Sequence, residues 1–424
     1  MLKVRFDRSC GELRFLFDLP LPQGGAEHPE FAAFMGCFVG QGGWAHRSDE
    51  GIDFLSIDLG GWMEFIGEAL DERDARFQME VLDQLLASGG MELGKGLQVN
   101  FHQNPHDTRE RYWNFILNQG HFTKYFFNRV NWDMAPRNRI VTRFPLHVDI
   151  ETASTCNMNC PMCYRSGLKH TGQMEQELFE RVVDECQAQG VYSIRLSWRG
   201  ETLTHPRIKE LIDYACKRIP NVSFLTNAFY IDKGMAQAFV ESGVSYVAVS
   251  FDGIGKTYEK VRAPAKFEEN RSRLARLKAL RDEAGTARPQ VRLCAIWPAI
   301  KDDPEGYTWT MTPVSDYIVC NPYINFSGPM KVKPDFICQY PWERLVVAYN
   351  GDTQCCTGWN ATDIILGNVR DKSLKEMWLG QDMERIRDKH AQGERLELTS
   401  CAECRHGSKG DENVSIDQIL ERRW

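Results

Sequence analysis

Three cysteines stand in the stretch Ala153-Ser-Thr-Cys-Asn-Met-Asn-Cys-Pro-Met-Cys-Tyr164, where Cys156, Cys160 and Cys163 have a C-x3-C-x2-C spacing. Three thiolates on one short loop can bind three irons of a [4Fe–4S] cluster, whereas clusters that only carry electrons are usually held by four cysteines. The fourth iron then stays open to another ligand, as catalytic zinc keeps one coordination position free. The spacing therefore predicts a cluster that takes part in chemistry.

A zinc site or a redox dithiol is the alternative for these cysteines. The strand-like run Phe144-Pro-Leu-His-Val-Asp-Ile150 precedes them, which places the loop at the end of a barrel strand and weighs against that alternative. The segment resembles the signature of the radical S-adenosylmethionine (SAM) superfamily, and Tyr164 matches the aromatic residue that lies near the adenine. The resemblance implies that SAM binds the open iron and is cleaved to a 5'-deoxyadenosyl radical.

Composition limits the kind of protein. The 424 residues are 42% hydrophobic and 26% charged, as in a soluble globular protein with two or three domains. A formal charge of −7 and a pI near 5.9 argue against a nucleic-acid partner. No stretch approaches the roughly 18 to 20 apolar residues that cross a bilayer, and the start lacks a signal-peptide core. Fourteen cysteines then indicate cluster ligands in a cytoplasmic, oxygen-sensitive protein without a membrane partner.

Residues 1–143 are expected to form an N-terminal α/β domain of unknown role. Strands are predicted at 3–6, 13–17, 53–57 and 97–101, and a helix is predicted over 65–86. The last part, 112–132, is rich in aromatic residues. We expect these rings to pack against the next domain, because aromatics dominate cores and interfaces. The alternative is a wall on which a substrate stacks.

Residues 144–325 alternate short β-rich runs with helical ones, which indicates βα units and a parallel sheet. Six strands are predicted, at 146–150, 193–197, 222–225, 246–250, 291–296 and 317–321. Helices are predicted at 176–187, 207–215, 233–242 and 266–283. The fold class is therefore α/β, and the pattern resembles the partial (β/α)6, TIM-like barrel of radical SAM enzymes. Chemistry in such barrels lies at the carboxyl ends of the strands.

Cofactor-binding candidates follow these strand ends. Ser197-Trp-Arg-Gly-Glu-Thr-Leu-Thr-His-Pro206 resembles the G-G-E-P segment that holds the SAM ammonium group, and it keeps Gly200 and Glu201. Leu225-Thr-Asn-Ala228 and Val249-Ser-Phe-Asp-Gly253 match positions that contact the SAM ribose or carboxylate. The resemblance thus implies that SAM contacts Tyr164, Gly200, Glu201, Asn227 and Ser250.

Catalytic candidates are Asp252, Arg262 and Arg199. Arg199 replaces the family's flanking glycine and is expected to face an anionic part of the ligand. Asp252 could contact SAM or substrate, or cap the next helix. Arg262 resembles an arginine that recurs after the fourth strand, and its alternative is a helix-surface charge. A substrate base is required, and the sequence does not choose among the three.

The C-terminal region, 326–424, holds a second cysteine pattern: a lone cysteine, a G-x4-C hairpin, Gly367-Asn-Val, a short helix ending in Trp378, and a closing C-x2-C. It resembles the SPASM domain or its one-cluster twitch form, with a four-cysteine zinc ribbon as the alternative. The resemblance implies an auxiliary [4Fe–4S] cluster on Cys338, Cys356, Cys401 and Cys404. Cys355 competes with Cys356, since neighbours on a strand point to opposite faces.

The remaining cysteines and the histidines have plainer interpretations. Isolated cysteines are expected to be small buried hydrophobes, at positions 10, 37, 186, 216, 294 and 320. His147, His170 and His205 show no metal spacing, and a structural or exposed role is expected for each.

The resemblance implies hydrogen abstraction from an unactivated C–H bond. Our first hypothesis is the oxidation of a small polar substrate, such as a sugar or aminocyclitol, with the auxiliary cluster as electron acceptor. The one-auxiliary-cluster layout resembles that of aminocyclitol dehydrogenases and, more distantly, anaerobic sulfatase-maturating enzymes. The second hypothesis is a maturase of a ribosomally made peptide, and the third a non-catalytic electron carrier. A flavodoxin- or ferredoxin-like electron donor is the expected protein partner.

Overall fold

The structure, a computed structural model, describes residues 2–7, 12–17, 29–40, 45–49, 52–87, 102–103, 107–168, 170–326, 332–358, 363–407 and 414–420. Its strands are β1 Leu2–Asp7, β2 Glu12–Phe17, β3 Ala45–Asp49, β4 Ile52–Asp58, β5 His102–Gln103, β6 His147–Ile150, β7 Ser193–Arg195, β8 Asn221–Thr226, β9 Tyr246–Ser250, β10 Gln290–Ile296, β11 Tyr317–Asn321, β12 Arg344–Val347, β13 Asp352–Gln354 and β14 Ile365–Asn368. Its helices are α1 Pro29–Gly40, α2 Leu59–Ala69, α3 Glu72–Ala87, α4 Arg109–Leu117, α5 Phe122–Arg137, α6 Gln176–Ala188, α7 Ile208–Cys216, α8 Lys233–Ser242, α9 Gly255–Val261, α10 Phe267–Glu283, α11 Pro304–Met311, α12 Leu374–Leu379, α13 Gln381–Ala391, α14 Thr399–Ala402 and α15 Ile416–Leu420.

The first four strands form an antiparallel sheet in the order β1-β2-β4-β3. Three of the predicted strands are confirmed as β1, β2 and β4, while β3 and α1 were not predicted. The predicted helix over 65–86 is two helices, α2 and α3. Asp71 separates them, because its carboxylate accepts the backbone N–H of Asp74 at 2.9 Å and so begins a new helix. The strand predicted at 97–101 lies outside the described residues.

The six predicted barrel strands are confirmed as β6 to β11, which are neighbours in chain order and all parallel. The predicted helices are confirmed as α6, α7, α8 and α10, whereas α9 and α11 were not predicted. Val148 and Ile150 of β6 belong to the same apolar core as Leu178 and Val182 of α6. Alternate residues of β6 therefore point to the opposite, inner face of the sheet, and they are polar: His147 and Asp149.

Helices α4 and α5 cover part of that inner face. Phe115 is 6% exposed, and its ring lies 5.5 Å from that of Tyr246 in β9 and 5.6 Å from that of Tyr317 in β11. Leu146, before β6, belongs to the same apolar cluster. The prediction that the aromatic segment packs against the next domain is thus confirmed. The buried Phe115 ring leaves little surface on which a substrate could stack.

One sheet joins all three regions of the chain. Strand β12 pairs with β6 in parallel register, with β13 and β14 added antiparallel, and β5 pairs antiparallel with β11 at the other edge. The division into domains at 143 and 325 therefore stays a prediction. Among the described residues, no helix has both the length and the apolar character needed to cross a membrane.

Candidate functional site

The loop with Cys156, Cys160 and Cys163 follows β6, as predicted. The three thiols are partly buried, and burial, with a smaller effect of the neighbouring Cys163, raises the pKa of both Cys156 and Cys160. Burial raises the pKa of Cys160 to about 11, and the nearby Arg262 guanidinium opposes this. Cys156 Sγ accepts the backbone N–H of Met158 at 3.5 Å. Iron-bound thiolates would be stabilised by these groups, Cys156 by the Met158 N–H and Cys160 by Arg262.

The loop after β7 packs closely against the cysteine loop, and Gly200 lies at the point of contact. A Cβ at Gly200 would lie 2.4 Å from the carbonyl oxygen of Ala153 and 2.5 Å from that of Thr155. The next residue, Glu201, donates its backbone N–H to Thr155 O at 2.8 Å. Only a residue without a side chain fits this approach, so Gly200 helps to shape the cysteine loop.

The Glu201 carboxylate is buried and joins its own loop to the end of β8. It accepts the Thr226 hydroxyl at 2.6 Å, the Asn227 N–H at 2.7 Å and the Leu203 N–H at 3.2 Å. Burial raises the pKa of Glu201, against these three donors. These hydrogen bonds fix the Glu201 carboxylate between β7 and β8. Its contact with the SAM ammonium group stays a prediction.

Asn227 connects this network to the cysteine loop. Its side-chain N–H donates to Asn157 Oδ1 at 2.9 Å, one residue after Cys156. The Nδ2 of Asn157 is buried and has no hydrogen-bond partner among the described residues. A buried donor of this kind beside the cluster loop fits a ligand with acceptor oxygens, as SAM has in its carboxylate and ribose.

Asp252 and Arg262 form a second connected pair. Asp252 is buried, accepts the Ile296 N–H at 2.7 Å and the Arg262 Nε–H at 2.5 Å. Arg262 in turn donates to Cys160 Sγ at 3.7 Å, so it is not a plain surface charge. The residue at the start of α9 is Ile254, which means that Asp252 does not cap that helix.

Arg199 lies elsewhere in the site. Its guanidinium forms a two-pronged ion pair with the fully buried Glu151, with Nε 2.8 Å from Oε1, and it lies 3.8 Å from the Trp198 ring. Guanidinium groups stay protonated in proteins, so neither Arg199 nor Arg262 fits the role of base. Ser250 ends β9 opposite Cys294 of β10. The roles of all these residues stay predictions.

The four auxiliary cysteines come together from distant parts of the C-terminal region. Cys338, Cys401 and Cys404 all have a pKa that burial raises, with Cys356 as a further cause in each. Gly351 makes the hairpin turn at a φ of 91°, where a Cβ would lie 2.6 Å from Asn368 Oδ1. The helix predicted to end in Trp378 is confirmed as α12, closed at its start by a Ser373–Glu376 capping box.

Backbone N–H groups are directed at these thiols. Cys356 Sγ accepts the Gly358 N–H at 3.2 Å, while Cys355 is packed in the apolar core. The pKa of Cys356 is lowered mainly by a hydrogen bond from the Cys355 thiol, and the pKa of Cys355 is raised correspondingly. Thiols that converge from separate segments and accept N–H donors fit the ligands of an iron-sulfur cluster.

His390 in α13 lies between two of the auxiliary cysteines. Its Nδ1 accepts the Cys338 N–H at 3.4 Å, and its Nε2 lies 3.5 Å from Cys401 Sγ. Burial, with the nearby Arg395, lowers the pKa of His390 to about 4.

A cavity of about 490 Å³ lies beside the auxiliary cysteines and extends to Tyr164, the residue that follows Cys163. Arg195, Trp198, Phe326 and Tyr340 also line it. Arg195 projects from β7 with a side chain 26% exposed, and its Nε lies 2.7 Å from the buried Asp149. A molecule in this cavity would lie beside both the first cysteine loop and the auxiliary site.

Other predictions from the sequence have simple outcomes. Cys186, Cys294 and Cys320 are buried as expected, Cys216 is partly buried, and the side chains at 10 and 37 lie outside the described set. His147 and His205 are buried and form hydrogen bonds to other protein groups, whereas His170 is exposed. No three His, Cys, Asp or Glu side chains of the described residues converge on a single metal ion. The ligands of a cluster bind separate irons and need not converge in this way.

Four residues of the site were missed in the sequence: Asn157, Arg195, Glu151 and His390. Asn157 stands inside the cysteine motif, and its position there was a signal. The polar–apolar alternation of Ser193-Ile-Arg-Leu-Ser197 places Arg195 and Ser197 on one face, which also could have found Arg195. Nothing in the sequence around Glu151 or His390 marks them.

Comparison with known families gives two matches. The radical SAM superfamily matches residues 150–286, and an iron-sulfur cluster-binding domain, SPASM, matches residues 338–405. The two ranges coincide with the two cysteine sites.

Curated relatives are similar over shorter stretches. The antilisterial bacteriocin subtilosin biosynthesis protein AlbA of Bacillus subtilis is 28% identical over 141 residues, covering 31% of this chain and 30% of its own length. The Fe-coproporphyrin III synthase of Methanosarcina barkeri is 32% identical over 25% of this chain and 27% of its own. The mycofactocin maturase MftC of Mycolicibacterium smegmatis is 21% identical over 64% of this chain and 80% of its own. The first two relatives are thus matched over less than a third of their length.

Solved structures show distant likeness. BtrN in complex with AdoMet and 2-DOIA matches with a TM-score of 0.44 and 17% identity, covering 65% of this chain and 96% of BtrN. SuiB of Streptococcus suis bound to S-adenosylmethionine matches with a TM-score of 0.46 and 13% identity, covering 91% and 89%.

Proposed function

Because the chain belongs to the radical SAM superfamily and carries a SPASM domain, we propose that it removes two electrons from a polar substrate held in the cavity between its two cluster sites. The two domains imply a [4Fe–4S] cluster with SAM and an auxiliary iron-sulfur cluster. When bound, the first supplies hydrogen abstraction from a C–H bond and the second an electron acceptor. The observation that carries the proposal is the cavity itself, whose lining includes both Tyr164, directly after the first cysteine loop, and the auxiliary cysteines.

The residues that would hold the first cofactors are those around the cysteine loop. Cys156, Cys160 and Cys163 would bind iron, while Asn157 and Asn227 would offer hydrogen bonds to SAM. Arg262 donates to Cys160 and is fixed by Asp252, so this pair positions a ligand thiolate. Asp252 is the remaining candidate for a base, but both its oxygens are already hydrogen-bonded. Its positioning role is therefore better supported than proton transfer.

Arg195 and Ser197 give the cavity wall its polar character. The cavity volume of about 490 Å³ includes space for the auxiliary cluster, and it is of the size that suits small ligands, about 300–1,000 Å³. A guanidinium directed into such a space favours a hydroxylated or anionic substrate group. We therefore place first a small polyol, sugar or aminocyclitol whose CH–OH group becomes C=O with loss of two electrons and two protons.

A ribosomally made peptide is the second candidate substrate. Two relatives favour it by their names, one a bacteriocin biosynthesis protein and the other a mycofactocin maturase. In this case a single side chain would enter the cavity and the rest of the peptide would lie outside.

The test is 5'-deoxyadenosine release by the anaerobically reconstituted full chain, given SAM and dithionite. Aminocyclitols, sugars, uronic acids and peptides rich in Asp and Glu are added in turn, and Cys160→Ala is the control. We expect one class to accelerate release in the wild type only, with deuterium passing from the labelled substrate to 5'-deoxyadenosine. Absence of SAM binding in protein with full iron content would favour the electron-carrier hypothesis and overturn the proposal.

A further inference from the structure

Each auxiliary thiol has a hydrogen-bond donor, but one donor differs in kind. Cys356 accepts the backbone N–H of Gly358, and the thiols of Cys338 and Cys404 likewise accept backbone N–H groups from residues two or three positions later. Cys401 instead lies against the side chain of His390, at 3.5 Å from Nε2. We propose that His390 donates Nε2–H to the Cys401 ligand and thereby raises the reduction potential of the auxiliary cluster. The proposal rests on the assignment of this cluster under the proposed function.

The direction of the contact follows from the other ring nitrogen. Nδ1 of His390 faces the backbone N–H of Cys338 at 3.4 Å, and a backbone N–H can only donate. Nδ1 therefore presents its lone pair to Cys338. An imidazole ring whose Nδ1 carries no hydrogen carries it on Nε2, the nitrogen that faces Cys401.

Helix α13 fixes the ring in this position. Arg387, one turn earlier, donates Nε–H to Pro341 O and Nη1–H to Trp378 O, both at 2.9 Å. Met383 and Ile386 of the same helix are fully buried. His390 itself is only 2% exposed, so water does not compete for its hydrogen bond.

The effect on the cluster is electrostatic. Reduction adds negative charge, part of which lies on the ligand sulfurs, and an N–H directed at a sulfur stabilises that charge. Removing the donor should therefore make reduction harder. Since α13 also links the Cys338 and Cys401 segments through one ring, His390 is a positioning residue for both.

The test uses potentiometric titration of the auxiliary cluster, followed by electron paramagnetic resonance. The full chain carries Cys156→Ala, Cys160→Ala and Cys163→Ala, so that only the auxiliary cluster is observed. His390→Gln keeps an N–H near the place of Nε2, whereas His390→Asn keeps a group near Nδ1 but cannot reach Cys401. His170→Asn, at an exposed histidine, is the control.

We expect His390→Asn to shift the midpoint potential to more negative values, with His390→Gln and His170→Asn close to the parent. Loss of the cluster in His390→Asn with retention in His390→Gln would also support the proposal. Equal potentials in all variants, or cluster loss in both His390 variants, would overturn it. The measurement needs neither SAM nor substrate, so an unchanged potential leaves the proposed oxidation standing, and a failed oxidation leaves this result unaffected.

Discussion

Two adjacent cysteines differ in what surrounds their sulfur atoms. Cys356 Sγ accepts a backbone N–H from Gly358, whereas the Cys355 thiol donates its hydrogen to Cys356 and is buried in the apolar core. We expect Cys356→Ser to lose about half of the bound iron and sulfide after reconstitution, while Cys355→Ser keeps it, because only the first change removes a ligand. Iron and sulfide analysis with optical spectra measures this. The opposite pattern would show that Cys355 is the ligand.

Gly200 lies against the backbone of residues 153–155, at the start of the first cysteine loop. Because an added Cβ would approach the backbone of Ala153 and Thr155 within 2.5 Å, Gly200→Ala should force the loop to shift. We expect a destabilisation of about 1–3 kcal/mol and a loss of iron from the first cluster site, measured by denaturant unfolding and iron analysis. Gly67→Ala, where a Cβ meets nothing within 4 Å, is the matched control. Full iron content in Gly200→Ala would contradict the close fit.

At the scale of residues, the sequence predicted which side chains could bind a cluster better than it predicted the contacts that those side chains make. The cysteine spacings marked both cluster sites because ligand spacing is local. Asn157 and Asn227 are 70 residues apart in the chain, and Arg262 and Cys160 are 102 apart. Such pairs arise from tertiary packing, which no local pattern encodes. The same holds for His390, whose two cysteine partners lie 52 and 11 residues away.

Among the elements, α4 and α5 connect the N-terminal region to the barrel. Phe115 of α4 is buried between the rings of Tyr246 and Tyr317. We expect Phe115→Ala to lower the free energy of unfolding by about 3–5 kcal/mol, because it opens a cavity in this interface. Trp309→Ala is the control, since the Trp309 side chain on α11 is 81% exposed and its loss should have little effect. Chemical denaturation followed by circular dichroism gives both values, and equal effects would contradict the interface.

The strands of the barrel were predicted to within about two residues, because each is a short apolar or alternating polar–apolar run between turn residues. The elements that were missed are short or weakly patterned: α9 has seven residues, and α11 begins with a proline. The predicted helix over 65–86 failed at Asp71, where a single capping carboxylate decides between one helix and two. Hydrophobic periodicity therefore predicted most of the elements, whereas a helix end set by one capping side chain was not predicted.

For the whole molecule, a buried network of charges joins the regions of the chain. Arg344 of β12 contacts Asp149 of β6 and Glu343, and its guanidinium lies 4.9 Å from the ring of Trp132 in α5. Glu343 is fully buried, and its Oε1 has no partner among the described residues. Burial raises the pKa of Glu343 from 4.5 to about 7, although Arg344 opposes this.

The raised pKa makes stability depend on pH. The folded protein holds the Glu343 proton more tightly than the unfolded chain, so this group's contribution is present below pH 4.5 and is lost as the pH rises through about 7. Glu343→Gln should therefore be more stable than the wild type above pH 7, by on the order of 2 kcal/mol, and the difference should shrink toward pH 5. Thermal unfolding across this range measures it. A difference that does not change with pH would exclude Glu343 as the titrating group.

The parallel pairing of β12 with β6 has a consequence for the timing of turnover. The first cysteine loop leaves β6, and the hairpin that carries Cys356 leaves β12, so both cluster sites grow from adjacent strands of one hydrogen-bonded ladder. Under the proposed function, this ladder then sets the distance between the two clusters, and we expect that distance to be the same with and without substrate. We therefore expect turnover to begin when the substrate enters the cavity, with no need for two lobes to close around it.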